Sequence, residues 1–170
     1  MARPHMEAAI RRGLEKAQSE ATAKAHPVLS AMSFAHLTND PSIAGASLDV
    51  NTNHVAQGGE DKVFVGGEPD SSGVRIPTEY TEVGISPAQV LEQQKRVRSQ
   101  TSQADVHVGS WIDPDVERGK QKVEWDASRA YPSIPEALDV AADRNEKEVF
   151  DMKTLENIPN PKYDPKKKQS

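Results

Sequence analysis

From Val106 to Ile112 polar and apolar residues alternate with a period of two. Val106, Val108, Ser110 and Ile112 share one side of an extended chain, and His107, Gly109 and Trp111 the other. A strand is predicted there. Pro114 and Gly119 give Asp113 to Lys120 the chemistry of a reverse turn, so the chain doubles back into a second strand carrying Val123, Trp125 and Ala127 on one face. Ser133, followed three residues later by Glu136, is a helix start. The predicted helix runs to about Asn145, with Ile134, Ala137, Leu138, Ala141 and Ala142 on its apolar side and Asp139, Asp143 and Arg144 pointing away. Residues 148–151 supply a third short strand. Residues 105–158 thus read as an α+β module of hairpin, helix and strand.

The chain before this module is patterned more thinly. Over residues 3–25, Ile10, Leu14, Ala17 and Ala21 recur at helical spacing, a narrow stripe suited to lying on another surface. A second helix begins at Pro27, and Val28, Leu29, Met32, Phe34 and Leu37 make the densest apolar cluster of the first half. Residues 38–59, rich in Asn, Asp, Ser and Gly, read as an extended arm with little core of its own. Asp61 to Val65 and Val74 to Ile76 suggest a hairpin. Ser86, Pro87 and Gln89 open a helix that reaches about Gln100. The division expected is a helical segment at 1–37, an arm at 38–104, the module at 105–158 and a basic Pro/Lys tail at 159–170.

Composition sharpens the picture. Leu, Ile, Val and Phe together make up 32 of the 170 residues, roughly 19 %, which borders on the range of chains that lack a core. Such a chain is expected to borrow surface from neighbours. The net charge of −5 is divided so that basic ends flank an acidic middle, which favours docking on oppositely charged proteins or on copies of the same chain. With no cysteine, disulfides, thiolate nucleophiles and cysteine metal sites are excluded, in keeping with a reducing compartment. No apolar run spans a bilayer and no signal peptide is visible, so neither a membrane nor secretion is expected.

Catalytic chemistry finds little support. His107, Asp126 and Ser128 fall on the two paired strands, but no nucleophile elbow or oxyanion motif accompanies them. Asp113, Asp115 and Glu117 alternate as oxygen ligands do, yet Arg118 occupies the place where a calcium loop needs glycine. The five histidines show no paired metal spacing. Gly66 and Gly67 lack the Lys-Ser/Thr of a phosphate loop. Lys95, Arg96 and Arg98 suit the last turn of a helix better than a nucleic-acid footprint. A non-enzymatic protein is expected, without cofactor, metal or small-molecule substrate, and without nucleic acid.

The run His107-Val108-Gly109-Ser110-Trp111-Ile112-Asp113, then Trp125-Asp126-Ala127-Ser128-Arg129 with Pro132, Ala137, Arg144-Asn145 and Asp151, resembles a short module of small proteins encoded by phages and prophages of actinobacteria. The resemblance covers about a third of the chain and carries no catalytic residues. It implies a virion or phage-accessory protein, working in the particle or in the host cytoplasm during assembly. Joined to the sparse core, it points to a minor capsid or cement-type component whose partners are other virion proteins or copies of itself. Its expected contacts are Ile10, Leu14, Met32, Phe34, Leu37, Trp111 and Trp125. The alternative is a small phage-encoded regulator that binds a host protein or nucleic acid.

Overall fold

The structure is a computed structural model that describes residues 26–168 together with Arg12. The helix expected over 3–25, with Ile10 and Leu14, lies outside the described residues but for Arg12. Among the described residues the chain is α+β, as its patterning predicts. Three helices, α1 (Pro27–Asn39), α2 (Pro87–Arg98) and α3 (Ile134–Arg144), cover one side of a seven-stranded antiparallel sheet. The strands are β1 (Gly45–Asp49), β2 (Val63–Val65), β3 (Glu79–Glu82), β4 (Val106–Trp111), β5 (Lys122–Tyr131), β6 (Glu148–Asp151) and β7 (Glu156–Pro159).

The order is β1-β4-β5-β2-β6-β7, and β3 also pairs with β5. β5 is long enough to take two partners end to end along one edge: Lys122 to Trp125 pair with β3, and Arg129 to Tyr131 with β2. β4 occupies its other edge. Between β2 and β3 the Glu68 N–H donates to the Ala127 carbonyl at 3.1 Å, which carries the ladder across the gap.

Side-chain alternation decides what faces the helices. On that side lie Leu48, Val106, Val108, Val123, Trp125 and Ala127, which with Phe34 of α1 and Val90 and Val97 of α2 form the larger core. The Trp125 and Phe34 rings stack, with centroids 5.7 Å apart and planes 5° from parallel. A smaller core joins Val63, Val65 and Val149 to Ala137 and Ala141 of α3. Local chemistry sets the helix ends as expected. Ser86 and Gln89 form a reciprocal capping box, Ser133 accepts from the Glu136 N–H, and α3 stops at Asn145 in a left-handed conformation, φ 54°.

Four expectations are corrected. Residues 38–59 are no extended arm: β1 pairs along its whole length with His107 to Trp111 of β4, and Leu48, Val50 and Ala56 are buried. Ala46, Leu48 and Val50 alternate with Ser47 and Asp49, a strand signal that the surrounding turn residues obscured. Residues 105–158 are no separate module, because β2 enters between β5 and β6, which share no ladder. Nor is 159–168 a loose tail. The Asn145 side chain donates to the Asp164 and Lys167 carbonyls at 2.8 and 3.0 Å, and Asn160 donates to Glu146 O at 2.8 Å. The expected 61–76 hairpin is reduced to a turn in which the Ile76 N–H donates to Glu68 O, while β2 finds its strand partners in β5 and β6.

Candidate interaction surfaces

The sheet side that faces away from the helices begins with a network of charges. Gly66 and Gly67 bring the backbone close against β5. A Cβ on Gly66 would lie 2.7 Å from Asp126 Oδ2, and Gly67, at φ 66°, has no room for one beside Arg75 and Glu146. In the space that remains Asp126 accepts from the Gly67 N–H and the Thr78 hydroxyl, while Arg75 pairs with Glu146 and approaches Asp126 at 3.9 Å. On the helix side the wholly buried Glu68 pairs with Arg129 and, at 2.7 Å, with Arg144, whose other amine donates to Gly66 O. This ionic seam separates the two hydrophobic cores. Its every charge is committed to structure.

Further along the open side, strand register sets three residues in a row. Tyr80 and Trp111 both have Glu124 as cross-strand partner, from β3 and β4, so the three side chains leave the sheet on one side. Tyr80 is 64 % exposed and Trp111 45 %. The Trp111 indole rests against β1, where a Cβ on Gly45 would lie 3.4 Å from its Cε3. Burial and the carboxylates of Asp126, Asp113 and Glu146 hold the Glu124 carboxyl above its ordinary value, against the opposing pull of Arg75.

A second surface is the outer face of α1. The helix buries Ser30, Ala31, Phe34, Ala35 and Thr38 yet leaves Val28, Leu29 and Met32 about half exposed. A helix apolar on both sides has one side too many for its own fold.

His107, Asp126 and Ser128 do not assemble into a triad. His107 and Ser128 are cross-strand partners, but the imidazole is sealed beneath the Phe64 ring edge, its Nδ1 lies 2.8 Å from Asp105 O, and its Nε2 has no partner. Asp126 is held by the network above. Burial lowers the His107 pKa, against the Asp105 carbonyl and the Asp49 carboxylate, which raise it, and beside Lys62, which lowers it further. A histidine whose folded pKa lies below its ordinary value of about 6.5 folds best when neutral, so stability is full above that value and falls as the pH drops through it. The thermal midpoint should decline between about pH 7.5 and 5.5, and His107→Asn, which keeps a donor for Asp105 O, should flatten that slope. Equal slopes would show that other groups carry it.

Of the contact residues expected from sequence, Met32 and Trp111 lie on exposed surface and Leu37 is half-buried. Phe34 and Trp125 are fully buried against each other and are withdrawn as contacts. Tyr80 and Glu124 were missed: the β4–β5 register sets Glu124 beside Trp111, and only the β3–β5 register brings Tyr80 to its other side. Asp115 N–H donates to Asp113 within their own turn, and among the described residues no group of three or more His, Asp or Glu side chains converges as metal ligands would. Among the described residues no helix is long and apolar enough to cross a membrane. Arg96 is spent on Gln93, Pro77 O and Glu79, which weakens the basic cluster of α2. Comparison with protein-family models, curated proteins and solved structures gave no match.

Proposed function

We propose that the protein is a non-enzymatic structural component of a phage particle, of minor capsid or cement type, that seats α1 on a neighbouring subunit. The observation that carries the docking is the outer face of α1, where Val28, Leu29 and Met32 stay in water although the helix already has a buried side. The phage context comes from the resemblance over residues 105–158. The neighbouring subunit buries that triplet, and the sheet behind it keeps the helix rigid.

Mass spectrometry of gradient-purified particles is the test, with the chain expected as a component of fixed stoichiometry. The paired substitution Leu29→Lys and Met32→Lys should leave the fold intact, with a stability change of about 0.5 kcal/mol or less for each exposed site, and should remove the chain from the particle. Its absence from wild-type particles overturns the phage assignment. Undiminished incorporation of the variant overturns α1 as the docking face.

A further inference from the structure

The row Tyr80–Glu124–Trp111 lies on the opposite side of the sheet from α1, so its fate is independent of the docking just described. We infer that this row is a recognition slot for a lysine or arginine side chain on a basic segment of a partner protein. Two aromatic residues on strands that flank the carboxylate stand about 10 Å apart at their Cα atoms, twice the spacing of neighbouring strands. A cation entering between them meets an aromatic side chain on either side and a carboxylate at the floor, the combination that favours ammonium and guanidinium groups.

The charges nearby leave this place open. Arg75 is engaged by Glu146 and Asp126, and Lys122 by Glu82. No hydrogen bond or ion pair among the described residues engages the Glu124 carboxylate. Burial, and the repulsion of the Asp126, Asp113 and Glu146 carboxylates against the opposing pull of Arg75, hold its proton more tightly than usual. A bound cation relieves that repulsion, whereas an anion adds to it. A neutral polar ligand would gain hydrogen bonds from the carboxylate, the Tyr80 hydroxyl or the Trp111 indole N–H, but no attraction of opposite charge. Charge complementarity therefore selects a basic occupant.

The test is calorimetric titration of the full chain with capped tetralysine and tetra-arginine, and with tetraglutamate as control. Saturable binding of the basic peptides alone is expected, weakened about tenfold in Glu124→Gln and in Tyr80→Ala. Glu117→Gln, at the exposed 113–121 turn, should leave affinity unchanged. Circular dichroism confirms that each variant is folded. Absence of saturable binding, equal binding of tetraglutamate, or full affinity in Glu124→Gln overturns the slot. An equal loss in Glu117→Gln reduces it to general electrostatic attraction and overturns it too. If the peptides bind only after residues 1–25 are deleted, the occupant is the chain's own basic segment and the partner assignment falls.

Discussion

Glu68→Ala should destabilise the fold by about 3–5 kcal/mol, the cost of breaking a buried ion pair from one side. The side chain is wholly inaccessible and is the anion for two guanidiniums, Arg129 and Arg144, whose side chains keep only 25 % and 13 % of their exposure. Removing it leaves two like charges side by side in the seam between the cores, with little water to replace the lost partner. Urea denaturation is the measurement, and the exposed pair Lys122 with Glu82 supplies the contrast, since Glu82→Ala should cost about 1 kcal/mol at most. If Glu68→Ala costs no more than Glu82→Ala, the arginines have found other acceptors and the seam is not a structural keystone. Replacing Glu68, Arg129 and Arg144 together by apolar residues of similar volume should restore much of the loss, because the penalty lies in the unpaired charge.

Trp125→Ala should cost about 3–5 kcal/mol, the range for deleting a large buried aromatic. Trp125 fills the centre of the larger core, stacks on Phe34 and donates its indole N–H to the Thr81 hydroxyl at 2.8 Å. Phe34→Ala should cost a similar amount, and the double variant less than the two together, because the rings share one contact. Met32→Ala, two residues from Phe34 on the outer face of the same helix, should change stability by about 0.5 kcal/mol or less. Losses for Phe34 and Trp125 as small as that for Met32 would return both rings to the partner surface.

What the chain discloses by itself follows from how local each signal is. The β4–β5 hairpin, the caps at Ser86 and Ser133 and the stop at Asn145 depend on neighbours within a few positions, and all appear where the pattern puts them. β1 depends on β4 some sixty positions later, and only that pairing turns Leu48 and Val50 from scattered apolar residues into core. The shortage of large apolar side chains is real, but a count of Leu, Ile, Val and Phe leaves out the alanines and says nothing of where the valines converge. Valines and alanines from both halves meet on one sheet face and fill the interior together. The same blindness hid the Tyr80–Glu124–Trp111 row, whose members come from three strands, while Trp111 alone could be singled out.

The sheet's wiring bears on how the polypeptide comes off the ribosome. β1, β2 and β3 precede residue 83, and the strands they pair with, β4, β5 and β6, begin at residue 106 or later. A nascent chain of the first hundred residues therefore holds three strands with nothing to add to, and closure waits on translation of residues 122–131. Until then the edges of β1, β2 and β3 stay unpaired, and premature termination leaves a fragment that cannot close the sheet rather than a smaller working unit.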